Sequence, residues 1–199
     1  MSWPPFFTLD LVERGLLPDG WEAMMRPLAD APEREAISMG AVDWSFAVLA
    51  ADVLRDRLPW LWRLYHRELR DFASAAVGFP LVPCNRLRAA ITLNMLSGTG
   101  ALTDWHTDRT AVTAVFFVTA GDADGGGDLV FRDGTGREAR IAPRPGLFVC
   151  FEGHNEHQVA PLSTPGPRLS LAMLYFRSTT ADQQPAYDVD VYDIDDIAP

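Results

Sequence analysis

"DWHTDRTAVTAVFFV", residues 104–118, places two kinds of residue side by side. From residue 110 to about 119 the side chains are mostly β-branched or aromatic, the pattern of a buried strand. Just ahead of that run stand His106 and Asp108, one residue apart. An imidazole and a carboxylate are both good ligands for a divalent metal. If the pair binds one, a third ligand must come from elsewhere in the chain.

Working outward, short strands are expected near 87–96, 110–119, 128–132, 137–141, 147–151, 156–160 and 167–177, between Gly, Pro and Asp turns. Strands at this spacing predict a sandwich or barrel. Residues 1–40 read as irregular with short helical pieces such as "GWEAMMRPLA". "DWSFAVLAADVLRDRL" (43–58) reads as a helix capped by Asp43, with Phe46, Leu49 and Val53 along one face. "PWLWRLYHRELRDFASAAVG" (59–78) reads as a second helix, with Pro59 in its first turn and Gly78 at its end. Leu61, Tyr65, Glu68 and Phe72 share one face of it, and His66 falls off that face, so His66 is expected at the surface. The tail "YDVDVYDID" (187–195) alternates apolar with acidic residues, as a charged edge strand does, and is equally compatible with disorder. The expectation is one domain: a helical or irregular layer over 1–85, a β core over 86–177 and an acidic tail over 178–199.

Composition narrows the function. At 199 residues and 48% hydrophobic the chain suits one domain with a sizeable core. No apolar run is long enough to span a membrane, and the N-terminus lacks the layout of a signal peptide. The two cysteines, Cys84 and Cys150, make no disulfide framework. A cytoplasmic setting is expected. All 17 basic residues are arginines, which excludes lysine Schiff-base chemistry and a lysine-dependent phosphate loop. The net charge of −10 argues against a nucleic-acid surface. It is compatible with a cationic, amine-bearing small-molecule substrate, although an acidic surface is more often a solubility device.

"EGHNEHQVAPLSTPGPRLSL" (152–171) offers the third ligand in His157, followed by Arg168. Arg168, Ser170 and Ala172 share one face of the next strand, and Leu169, Leu171 and Met173 the other. Two imidazoles and one carboxylate on one side of Fe(II) leave coordination positions open for a bidentate 2-oxo acid and for O2. The far carboxylate of such an acid needs a fixed cation. Arg168 supplies a planar fork and Ser170 a supporting hydroxyl. An arginine on an apolar strand is costly to bury unpaired, and a dianionic cosubstrate accounts for it.

With these residues in place, the segment 86–177 resembles the core of the Fe(II)/2-oxoglutarate-dependent dioxygenases, which share a double-stranded β-helix, or jelly roll. Their H-x-D, distant H, and R about ten residues on match His106, Asp108, His157 and Arg168 in order and spacing. "GGGDLVF" (125–131) is similar to the family's glycine-rich turn and strand, and "IAPRPGLFVCF" (141–151) to the strand before its distal histidine. The resemblance implies metal ligands His106, Asp108 and His157, a cosubstrate site at Arg168 and Ser170, the cofactors Fe(II), 2-oxoglutarate and O2, and succinate and CO2 as coproducts. Many relatives carry a cosubstrate-contacting tyrosine on the strand before H-x-D. Here that stretch reads "AAITLNMLSGTG" (89–100), and Asn94 is expected in its place. The carboxylate of Asp108 favours hydroxylation or a related oxidation over halogenation.

The implied activity is oxidation of a C–H bond in a small molecule of specialised metabolism. A prolyl-type protein or peptide hydroxylase is the alternative enzyme, and a non-catalytic metal-binding jelly-roll sensor the alternative from another class. His154 competes with His157 as third ligand, but His157 has the better spacing to Arg168. Arg109 is expected in a structural ion pair, and Trp105 either under the loop or lining the pocket.

Overall fold

In the computed structural model, which describes residues 3–124, 126–180 and 185, the described chain contains twelve strands and five α-helices. In order they are β1 (Phe7–Asp10), α1 (Trp21–Met25), β2 (Glu35–Ile37), β3 (Ser45–Leu49), α2 (Ala51–Arg57), α3 (Pro59–Leu64), α4 (Arg70–Val77), β4 (Val82–Pro83), α5 (Leu87–Ala90), β5 (Ile91–Ser97), β6 (Thr103–His106), β7 (Val112–Phe117), β8 (Leu129–Arg132), β9 (Glu138–Ile141), β10 (Leu147–Glu152), β11 (Glu156–Val159) and β12 (Arg168–Phe176). A 3-10 turn, Arg26–Asp30, follows α1, and a π-helical turn, Tyr65–Leu69, joins α3 to α4.

The strands form two sheets. The larger runs β1-β10-β7-β12-β5-β3-β2, with β4 also pairing β12; the smaller runs β6-β11-β8-β9. Every pairing is antiparallel. The sheets face each other as a jelly roll, and the helices cover the outer face of the larger one. β7 shows why its run of apolar residues is broken only by Thr113. Ala114 and Phe116 point into the helix-side core, while Val115 and Phe117 point between the sheets. Alternating side chains on a strand covered on both faces leave no position for a polar residue without a partner. Leu129, Phe131, Val149 and Phe151 complete the layer between the sheets, and Trp3 and Phe6 pack against it. Among the described residues no helix is long and apolar enough to cross a membrane.

Several expectations change. The stretch 43–58 is not one helix: Ser45–Leu49 is strand β3, and helix begins only at Ala51. Phe46, Leu49 and Val53 have helical spacing, but backbone pairing with β2 on one side and β5 on the other decides the conformation. The residue capping α2 is Ala50, not Asp43. With β1, β2 and β3 inside it, the N-terminal segment 1–85 is only partly helical and supplies strands to the main sheet. β5 starts at Ile91, after the single turn of α5.

His66 is buried, at 3% exposed, against the expected surface position. The π turn is the reason. A turn wider than 3.6 residues advances the burial pattern to steps of four. Leu61, Tyr65, Leu69 and Ala73 are all fully buried, and Trp62 and His66 follow beside them. The His66 Nδ1–H donates to the Trp62 carbonyl at 2.8 Å, and the ring lies between Trp62 and Tyr65. Burial holds its pKa down at about 4. The alternating stretch 187–195 lies outside the described residues.

Candidate metal centre

His106 ends β6, Asp108 stands in the short connection to β7, and His157 lies on β11. Sheet pairing brings the histidines together: His157 sits directly across from His106. Their ring centroids are 4.2 Å apart. One ligand atom from each of His106, Asp108 and His157 can be chosen so that all lie within 4.8 Å of one another. The Asp108 carboxylate bridges the pair, with Oδ1 3.9 Å from His106 Nε2 and Oδ2 3.6 Å from His157 Nε2.

The hydrogen bonds fix which nitrogen of each ring is free. A carbonyl only accepts, so a ring nitrogen bonded to one carries the proton. Nδ1 of His106 donates to the Asp104 carbonyl at 2.7 Å, and Nδ1 of His157 to the Asn155 carbonyl at 2.9 Å. In the neutral form both rings therefore present Nε2 as the free nitrogen beside Asp108, the tautomer that metal binding requires. His157 is buried at 5% exposed, against Phe151 and Phe131. Desolvation lowers its pKa and keeps it neutral. His106 is exposed, so the centre opens on that side.

Asp108 is held from two directions. Its backbone N–H donates to the Gly153 carbonyl at 2.8 Å. A side chain at Gly153 would meet Thr110, and its Cβ would lie 2.9 Å from the Asp108 carbonyl oxygen, so the close approach depends on glycine. The carboxylate accepts a hydrogen bond from the Thr113 hydroxyl on β7, from Thr113 Oγ1 to Asp108 Oδ2 at 2.6 Å.

On the facing sheet, Arg168 is 5% exposed. Its Nε–H donates to the Gly127 carbonyl at 2.7 Å, Nη1 donates to Ser170 Oγ at 2.9 Å, and the guanidinium lies 5.3 Å from the Phe117 ring centroid. Nη2 is buried with no hydrogen-bond partner among the described residues. Burial lowers the pKa to about 10, which still leaves the group charged at neutral pH. A buried cation with one unsatisfied N–H pair is a site for an anion's oxygen. Asn94 stands directly across from Ser170 on β5 and shares its face of the sheet.

The donor set is suited to Fe(II): two imidazoles and one carboxylate, with a buried cationic fork on the facing sheet that could take a carboxylate. His154 stays outside this cluster, exposed and 3.7 Å from Glu152. Arg109 is exposed and joins no ion pair among the described residues, against the expected structural pairing. Trp105 lies next to His106, stacked under the Arg132 guanidinium at 4.2 Å. Sequence reasoning missed Thr113 and the Gly127 carbonyl. A hydroxyl inside an otherwise apolar strand was the available signal for Thr113; a backbone carbonyl leaves none.

Residues 91–176 match the sequence model described as "2OG-Fe(II) oxygenase superfamily". No curated protein shows a significant sequence match. Among solved structures, the non-heme alpha ketoglutarate dependent epimerase SnoN from nogalamycin biosynthesis superposes with a TM-score of 0.65 at 18% identity, over 95% of this chain and 86% of its own. A 2OG-Fe(II) oxygenase family oxidoreductase from Burkholderia pseudomallei gives a TM-score of 0.69 at 16% identity, over 91% and 89%. HygX from Streptomyces hygroscopicus, solved with nickel and 2-oxoglutarate bound, gives 0.60 at 14% identity, over 94% and 92%. At these identities the likeness shows the shared fold.

Proposed function

Residues 91–176 belong to the 2OG-Fe(II) oxygenase superfamily, and from that premise we propose that this chain is an Fe(II)- and 2-oxoglutarate-dependent oxygenase that oxidises a C–H bond of a small molecule in natural-product metabolism. Two observations carry the reading together: the clustering of His106, Asp108 and His157, and a buried Arg168 whose Nη2 has no hydrogen-bond partner among the described residues.

His106, Asp108 and His157 would hold the metal. When bound, Fe(II) supplies open positions for the 2-oxo acid end of 2-oxoglutarate and for O2, coupling loss of CO2 and formation of succinate to oxidation of the substrate. Arg168 would receive the distal carboxylate through Nη2, with Ser170 and the Gly127 carbonyl fixing the plane of the fork. Asn94, across from Ser170, would touch the cosubstrate from the side. Phe131 and Phe151 exclude water behind His157, and exposed His106 marks the side from which substrate arrives. The small-molecule reading draws support from the epimerase SnoN and the carbocyclase SnoK, both from nogalamycin biosynthesis, among the similar structures. The acidic balance of the chain favours an amine-bearing substrate.

The test uses purified protein with Fe(II) and ascorbate. Anaerobic addition of 2-oxoglutarate is expected to raise a visible charge-transfer band. In air, succinate release should follow and be stimulated by a member of a metabolite panel. Absence of both band and succinate overturns the oxygenase reading. Stimulation by proline-containing peptides alone would reassign the substrate.

A further inference from the structure

We propose that Thr113 is a positioning residue that engages one oxygen of the Asp108 carboxylate and thereby confines metal binding to the other. The inference rests on the metal-centre reading above. Both carboxylate oxygens face the imidazoles, Oδ1 toward His106 and Oδ2 toward His157. Nothing in that arrangement alone stops the carboxylate from gripping an ion with both oxygens.

Thr113 breaks the symmetry. Its hydroxyl reaches only Oδ2, at 2.6 Å. The direction of the bond is settled by a second hydroxyl. Thr110 Oγ1 lies 2.7 Å from Thr113 Oγ1. A carboxylate accepts only, so Thr113 gives its proton to Asp108, and Thr110 must donate to Thr113. The chain Thr110 to Thr113 to Asp108 thus holds a polarised donor against Oδ2. Hydrogen bonds to charged acceptors are among the stronger ones and strengthen in series. Thr113 is 4% exposed on a strand whose other residues are apolar, so water does not compete for the bond. With Oδ2 engaged, Oδ1 is the freer donor, and one coordination position that a two-oxygen grip would fill stays open.

The probe is Mn(II) bound in water enriched in oxygen-17, where EPR line broadening counts metal-bound waters without turnover. Thr113→Val keeps the shape and removes the hydroxyl; it is expected to lose one metal-bound water relative to the parent. Thr113→Ser is expected to restore the parent count. Thermal unfolding of the apo variants shows whether they fold, and Thr113→Ala substitutes if the valine form does not. A valine or alanine variant with the parent's water count overturns the proposal. A parent that binds no Mn(II) overturns the metal-centre reading with it.

Discussion

Arg168 stands out at the scale of single residues because a guanidinium deep in a core carries a desolvation cost that its partners must offset. Two of its three nitrogens are satisfied by Gly127 and Ser170, and the third has no partner among the described residues. Arg168→Lys keeps the charge but loses the fork. The expected outcome is a 10- to 100-fold weaker 2-oxoglutarate affinity by charge-transfer titration, about 1.4–2.7 kcal/mol, with metal affinity unchanged. Gly127 is a second test of the same contact. Its φ is +78°, and an added Cβ would lie 2.9 Å from Leu162 Cδ2 and 3.2 Å from Arg168 Cδ. Gly127→Ala should weaken 2-oxoglutarate binding several-fold in that titration without changing Mn(II) affinity. Arg168 was legible in the sequence, since a lone arginine in "RLSLAML" is conspicuous against apolar neighbours. Thr113 left only a hydroxyl in an otherwise apolar strand as its sign, because threonine is an ordinary strand residue and only its neighbour across space gives it a task.

At the scale of elements, the helical stretch from Pro59 to Val77 shows how a local irregularity changes burial. Its π turn moves His66 from an expected surface to the core. In the folded protein His66 resists protonation until about pH 4, whereas an unfolded histidine titrates near 6.5. Between those values the unfolded chain binds more protons, so stability falls as pH drops through the window. The loss reaches as much as about 3 kcal/mol at the acid end. Urea unfolding of the parent and of His66→Leu between pH 7 and pH 4 should show a shallower decline for the variant. On the smaller sheet, Arg132 on β8 forms a two-point ion pair with Glu156, next to His157, and stacks on Trp105, next to His106. This side chain spans β11 and links the strands that carry both histidines. Arg132→Ala should lower Mn(II) affinity about tenfold, as loss of groups supporting metal ligands does. An unchanged binding isotherm would count against a link between the strands.

The whole molecule is two sheets whose facing surfaces bring distant parts of the chain to one point. His106 and Asp108 come from the approach to one strand and His157 from another, and they meet only after the smaller sheet has paired and docked. Metal that binds the folded centre alone must therefore stabilise the fold as a whole. At a free Mn(II) concentration a hundredfold above its dissociation constant, the gain is expected to be about 2.7 kcal/mol, read as a shift in the unfolding midpoint that a chelator reverses. By itself the sequence determined the local features: alternating apolar strands, the types of the ligands, and an arginine on a core strand. These are read from side chains one or two positions apart, where backbone geometry dictates the face each occupies. Only tertiary structure decided that Ser45–Leu49 is strand, that His66 is buried, and that Thr113 meets Asp108. Each depends on which backbone or side chain lies opposite, and pairing between segments distant in sequence outweighs local preference whenever the two disagree.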